Sequence, residues 1–326
     1  MQQLLFTHSG SRVEFLLSLP ALQAARKHLG QTRIWLAAPD FACQVARLAG
    51  CVDTTLALGA HRSTVSHPSL VKALRALTAL RQTSFDAVVT LTEDAVEQAG
   101  TFLIRARKRL VRRPAAGRTR PHLTDAVAML IAELGVPPPL PTPQLTLPPD
   151  ARLAETQKLA KLGWRDDRLT IALHPTVGFA PQVWPSEYFA ELGTRLVMEY
   201  GVQLLVIETE EEPGLTERLR PEWKRHNLKP VVLRRPGVAT LAAALAQASV
   251  VVGSNCAPVH LAVAVRTPSV VVMNGDFDSS YLAPRGRRDR LLYALPSRPV
   301  TVDEVFGAVC QVMAASRTGA LLASDD

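Results

Sequence analysis

The chain has 326 residues, 47% hydrophobic and 20% charged, a balance that permits a sizeable core and excludes a disordered or low-complexity polymer. Lysine and arginine number 37 against 29 aspartates and glutamates, so the formal charge of +8 favours polyanionic neighbours: nucleic acid, anionic lipid headgroups or phosphorylated substrates. No apolar run reaches the ~20 residues of a membrane-spanning helix, and the four cysteines are too dilute, and too irregularly spaced, for a disulfide framework.

The length predicts about two domains. In chain order, residues 4–7 read as a strand, 15–28 as an amphipathic helix, 33–37 as a strand, 41–48 as a helix, 53–58 as a strand, 69–81 as a helix and 87–91 as a strand. This alternation predicts βαβ units on a parallel sheet. The prolines of 135–143 then forbid both helix and central strand, which makes that stretch a linker. Beyond it the alternation resumes: a helix at 150–162, strands at 169–173, 203–207, 230–233, 250–252 and 269–273, and helices at 186–200, 239–247 and 258–265. Residues 316–326 read as a frayed extension after a last helix. Cys43, Cys51 and Cys310 read as reduced small hydrophobes. The opening ten residues lack the basic start and long apolar block of a signal peptide, so the expected compartment is the cytoplasm.

In open α/β sheets ligands sit outside the carboxyl ends of strands, so the turns after the strands are where chemistry is expected. The first such turn, His8-Ser9-Gly10-Ser11-Arg12-Val13-Glu14, puts Glu14 in the first turn of a helix, either as an ordinary helix-start carboxylate or as a general base. The second, after 169–173, carries Thr176 and Gly178 ahead of Trp184-Pro185 and a helix start at Ser186; backbone amides and the threonine hydroxyl there could hold phosphate oxygens. The third is Gly253-Ser254-Asn255-Cys256-Ala257-Pro258-Val259-His260. It reads either as a helix start aimed at an anion or as a tight turn with His260 as a satisfied helix histidine. The basic run at 105–113, with Arg118 and Arg120 beyond it, is either a solvated face or a patch for an anionic acceptor. Only Phe102 is near enough to supply a stacking ring, which argues against single-stranded nucleic acid.

Together the three turns resemble the bacterial lipopolysaccharide heptosyltransferases of glycosyltransferase family nine. Residues 8–22 are similar to that family's H-P-G-x-L-G-D-x-L-L-x-L-P-A-L, and residues 174–192 to its H-P-G-x-x-x-x-K-x-W-P-x-E-Y-F-A-E-L. Residues 255–278 are similar to D-T-G-x-x-H-L-A-A-A-L-G-T-P-x-V-x-L-F-G-x-x-D, and Tyr281-Leu282-Ala283-Pro284-Arg285-Gly286 follows as the family's next loop does. The departures are specific. Glu14 stands for the family's catalytic Asp and Val13 for the Gly before it, Gln182 for its phosphate-binding Lys, and Asn255-Cys256-Ala257 for D-T-G, while His260 is kept. Glu212 falls near the position of a family acidic residue beside the nucleotide sugar.

The resemblance implies an α/β fold of the GT-B type, with two Rossmann-like domains facing across a cleft. Residues 1–148 would be the acceptor domain, with the Pro-rich linker at 136–149, and residues 149–326 the nucleotide-sugar domain. It implies an inverting transfer of a heptose or related sugar from an ADP-sugar to an anionic lipopolysaccharide-type acceptor. Glu14 would be the base, Thr176, Gln182, Glu212, Asn255, Cys256, Ala257 and His260 would bind the donor, and Ser11, Arg12, Arg107, Arg109 and Arg120 the acceptor. No metal and no cofactor beyond the donor are implied, nor any nucleic-acid partner, and the positive charge suits peripheral attachment to the inner face of the inner membrane. Glu can accept a proton as Asp does if its longer arm reaches. Losing the Lys removes a charge worth several kcal/mol where the leaving diphosphate becomes negative, with Arg12 or an arginine of 285–288 as candidate replacement. The alternative is a degenerate member that binds nucleotide or glycan without turnover.

Overall fold

The computed structural model describes residues 1–59, 76, 78–114, 120–175, 184–210, 213–273, 280–294 and 298–322, the last seven by backbone alone. The chain divides into two compact units: Met1–Gln144 with Ser280–Ala283, and Leu145–Ser279 with Pro284–Asp326. Both are α/β, and every strand pairing in both sheets is parallel.

The first unit holds β1 (Gln3–Thr7), β2 (Arg33–Ala38), β3 (Thr54–Ala57), β4 (Ser84–Thr90) and β5 (Arg105–Val111), in the order β3-β2-β1-β4-β5. Strand order reverses between β1 and β4, which is where a doubly wound sheet opens a crevice at its carboxyl edge. Four of the five residues of β1 are buried because helices cover both faces of a parallel sheet. The helix Arg12–His28 begins three residues earlier than its apolar periodicity suggests. Ser11 and Glu14 form a reciprocal capping box: the Glu14 amide donates to Ser11 Oγ (3.2 Å) and the Ser11 amide donates to Glu14 Oε2 (2.9 Å). Arg26, Lys27 and His28 in its last turn complement the helix dipole.

The basic run is not one uniform face. Residues Arg105–Val111 form edge strand β5, paired with β4, and only Leu110 within it is buried. Charged residues are a common device on an edge strand, because they oppose pairing with another chain. A helix that the apolar pattern did not separate from its surroundings, Leu123–Ala132, follows, with His122 Nδ1 accepting from the Thr124 amide at its start. Of the helix expected at 69–81, the described residues 76 and 78–81 are helical; the others lie outside the described residues, as does Arg118.

The second unit holds β6 (Thr170–His174), β7 (Gln203–Glu208), β8 (Val231–Arg234), β9 (Val250–Ser254), β10 (Ser269–Met273) and β11 (Arg290–Tyr293), in the order β11-β10-β9-β6-β7-β8. Its reversal point lies between β6 and β9. All five residues of β6 and of β10 are buried, as are all eight of the helix Ala257–Ala264. On one face Trp184 is fully buried, edge-on to Phe189 (4.6 Å) and Tyr188 (5.7 Å), and its indole N–H donates to the Val300 carbonyl (2.8 Å). The helix Ser186–Tyr200 ends at Gly201, whose φ of 63° is the left-handed conformation that a glycine adopts at little cost. The last helix, Val302–Leu322, stays helical through 316–322 where fraying was expected; the Arg, Ala and Leu residues of that stretch are strong helix formers. Residues 323–326 lie outside the described residues.

Candidate active site

In the first unit the residues at the carboxyl ends of β1, β4 and β5 converge on Glu14. Gly10 permits this. A Cβ built there would stand 2.6 Å from Glu14 Oε2, 3.0 Å from His8 Cε1 and 3.1 Å from Thr92 Cγ2, so a larger residue would displace the carboxylate. His8 is buried, with Nε2 3.2 Å from the Ser11 carbonyl and its ring edge-on to Phe15. Glu14 is a quarter exposed. Its Oε2 is held by the Ser11 amide and its Oε1 lies 3.5 Å from Arg112 Nη2. Glu14 thus caps the helix and also keeps a carboxylate at the sheet's carboxyl edge.

Arg112 was only one more cation of the basic run in the sequence, yet it is 5% exposed and central here. Its Nε donates to the Leu91 carbonyl (2.7 Å), and its Nη1 to Glu93 Oε1 (2.9 Å) and to the Tyr281 hydroxyl. Arg120 pairs with the other oxygen of Glu93 and lies 4.5 Å over the Tyr281 ring. Tyr281 arrives in the short return Ser280–Ala283, fastened by the Leu123 amide to the Tyr281 carbonyl (2.9 Å) and by His122 Nε2 to the Ala283 carbonyl (2.9 Å). Burial pushes the Tyr281 phenol up, only partly offset by Arg112. The signal that singles out Arg112 is its position, just past the end of a strand whose neighbour β4 lies at the sheet's reversal point.

Of the residues expected to hold an acceptor, Ser11 and Arg120 therefore lie with Glu14. Arg12 stacks on Phe41, 5.1 Å from the ring centroid. The structure does not bring Arg107 and Arg109 there. Arg107 is exposed and faces Asp86 (3.7 Å), which accepts from the amides of Gln2 and Gln3 near the amino edge of the sheet. The Arg109 guanidinium donates to the carbonyls of Thr101, Ile104 and Ala106 and lies over Phe102, binding its own preceding loop.

In the second unit Asn255, Cys256, Ala257 and His260 surround the start of the helix Ala257–Ala264, beside the reversal between β6 and β9. Cys256 is its N-cap residue in extended conformation, without a side-chain cap bond, and Pro258 occupies its first turn. A Cβ on Gly253 would stand 3.2 Å from Val259 Cγ2 and 3.3 Å from the His174 carbonyl, which explains the small residue at this close approach. His260 is buried, with Nε2 2.7 Å from Asn255 Oδ1. His174, the last residue of β6, is likewise buried, with Nδ1 3.0 Å from the Ile207 carbonyl. Thr176, Gly178, Gln182 and Glu212 lie outside the described residues.

Sequence reasoning also passed over Glu208, the last residue of β7. Burial alone would raise its carboxyl, but the Thr216 hydroxyl and the amides of Thr216 (3.0 Å) and Gly214 (3.3 Å), with Arg234 nearby, bring it below the usual range. Among the described residues no group of three or more His, Cys, Asp or Glu could hold a metal ion, and no helix is long and apolar enough to cross a membrane.

The profile of glycosyltransferase family 9 (heptosyltransferase) matches residues 74–294. The chain belongs to that family. Among solved structures, the family 9 glycosyltransferase from Veillonella parvula DSM 2008 is 16% identical, with a TM-score of 0.81 over 96% of this chain and 98% of that one. The ADP-heptose lps heptosyltransferase II of E. coli is 14% identical, with a TM-score of 0.80 over 97% and 100%. The E. coli heptosyltransferase WaaC with ADP is 19% identical, with a TM-score of 0.75 over 95% and 100%. No curated protein matches the sequence. These likenesses extend over almost the whole chain, and the α/β class with two Rossmann-like parallel-sheet units of the GT-B type holds. The chain is thus a glycosyltransferase by family, with a heptosyltransferase-like fold.

Proposed function

We propose that this family 9 member transfers a heptose or related sugar from an ADP-sugar to an anionic lipopolysaccharide-type acceptor, inverting the anomeric carbon. The observation that carries the reading is Glu14: a carboxylate fixed by a capping box at the carboxyl edge of β1, beside Gly10 and Arg112. The acceptor hydroxyl oxygen bonds to the anomeric carbon as the bond from that carbon to the diphosphate oxygen breaks. ADP leaves with the electron pair, and the acceptor proton passes to the Glu14 carboxylate. Arg120 and Ser11, near Glu14, suit a phosphorylated acceptor. In the second unit the first-turn amides of the helix Ala257–Ala264 suit the donor diphosphate, with Asn255, Cys256 and His260 around it. Thr176, Gln182 and Glu212 complete the proposed donor set. The +8 charge supports peripheral attachment to anionic headgroups, which rising salt weakens.

The test is purified protein with ADP-heptose and heptose-deficient lipopolysaccharide, followed by ADP release and by mass of the acceptor. Glu14→Gln is expected to lower transfer by ~10²–10⁴-fold while leaving ADP affinity within about twofold. Retention of most activity by that variant means the base lies elsewhere. Nucleotide binding with no transfer by the unaltered protein means a binder, not a transferase. Gln182→Lys is expected to raise turnover.

A further inference from the structure

We propose that Arg112 is the positioning residue that orients the Glu14 carboxylate for proton acceptance, an inference that rests on Glu14 being the base. Arg112 is a buried cation, and burying a charge is costly unless it is well paired. Its partners come from three separate stretches: the Leu91 carbonyl and Glu93 after β4, Tyr281 from the return segment, and Glu14 at the start of the helix Arg12–His28. A guanidinium is a rigid planar fork, so the contacts to Leu91, Glu93 and Tyr281 fix its plane and aim the remaining Nη2 edge at Glu14.

The result for Glu14 is restraint at both oxygens. Oε2 is held by the Ser11 amide at 2.9 Å, and Oε1 faces Nη2 at 3.5 Å, a contact long enough to leave that oxygen able to take a proton. The resemblance places an aspartate at this position. A glutamate has one more torsion to freeze, and Arg112 supplies the second anchor that the longer arm requires. Glu93 pairs with both Arg112 and Arg120, so two carboxylates and two guanidiniums form three ion pairs beside Tyr281. The His8 ring borders the same space beside Gly10 as the Glu14 carboxylate.

The experiment compares Arg112→Met and Arg112→Lys in the full-length chain and in Glu14→Asp, using ADP release from ADP-heptose with heptose-deficient lipopolysaccharide. Arg112→Met is expected to lower kcat by ~10²-fold with KM for ADP-heptose within about twofold, since a misplaced reacting group costs about that much. Arg112→Lys restores part of the loss. In Glu14→Asp, whose carboxylate stands one methylene short of the guanidinium, Arg112→Met costs at most a few-fold more. A crystal structure of Arg112→Met is expected to show the Glu14 carboxylate away from the Ser11 amide. If Arg112→Met does not fold, Tyr281→Phe removes one of the contacts that fix the guanidinium plane and is expected to lower kcat several-fold while the protein remains folded by circular dichroism. Equal losses in the parent and Glu14→Asp backgrounds, a loss confined to KM, or an unmoved Glu14 in the crystal each overturns the proposal. An active Glu14→Gln enzyme instead overturns the base assignment itself, so the two failures are distinguishable.

Discussion

Gly10→Ala adds a single methyl group where the structure has no room for one. The backbone at Gly10 is not left-handed, so the substitution carries no conformational penalty of its own and acts as a steric probe. The new carbon would stand 2.6 Å from Glu14 Oε2, and real Cβ contacts essentially never fall under 3.0 Å, so the carboxylate has to retreat by several tenths of an ångström. His8 Cε1 at 3.0 Å and Thr92 Cγ2 at 3.1 Å close the other directions. Such a movement is inexpensive for a free glutamate but not for this one, because Oε2 is the atom that receives the Ser11 amide. Losing that half of the capping box costs about 1 kcal/mol, which lowers the melting temperature by ~2–4 °C for a unit of this size. If Glu14 is the base, displacement of its carboxylate also lowers kcat by about 10- to 100-fold while KM for the donor stays constant. Thermal unfolding and steady-state ADP release measure the two effects on one sample. A Gly10→Ala protein with the parent's melting temperature and kcat would refute the packing of Glu14 against Gly10, and with it the placement on which the chemistry depends.

Trp184→Phe keeps an aromatic ring but leaves the Val300 carbonyl without its donor in a dry core, and is expected to cost about 1–3 kcal/mol in urea unfolding. Glu208→Gln tests the depressed carboxyl at the end of β7. Because its folded pKa lies below the unfolded value, the stabilisation is present above the ordinary glutamate range and is lost as pH falls through the folded value. The parent is therefore expected to lose stability between pH 6 and about pH 3 more steeply than the variant, by denaturant titration at each pH. Burial pushes the Cys43 and Cys51 thiols up to about 11 and about 12, so both stay protonated and unreactive at neutral pH. Mass spectrometry after maleimide treatment of the native protein at about pH 7.5 is expected to find neither modified.

The apolar strands β1, β2, β6, β7, β9 and β10 were legible because parallel strands buried on both faces read as near-continuous hydrophobic runs. Strand β5 was not, since its sequence, Arg105-Ala106-Arg107-Lys108-Arg109-Leu110-Val111, meets solvent over most of its length and owes its form to pairing with β4. The helix Leu215–Arg225 was hidden by its charges and by Pro221. The helix Leu123–Ala132 lacked a Ser, Thr, Asp or Asn cap, because His122 performs that role. At the candidate site, the spacing Ser11-x-x-Glu14 is that of a capping box, but apolar periodicity alone set the start of the first helix three residues too late. Arg112, Glu93 and Tyr281 could not be joined from sequence, since 19 residues separate the first pair and 169 the last, and only the tertiary fold brings them within hydrogen-bond reach.

The return of Ser280–Ala283 to the first unit makes that unit discontinuous along the chain. During synthesis its sheet can form early, yet Arg112 receives its phenol partner only after nearly all of the second unit's strands have left the ribosome. A fragment cut at Gln144 would keep both carboxylates of Arg112 but leave its Nη1 without the phenol acceptor, and His122 and Leu123 would face water where a neighbouring backbone should lie. The first unit is thus finished by a segment that is synthesised after most of the second.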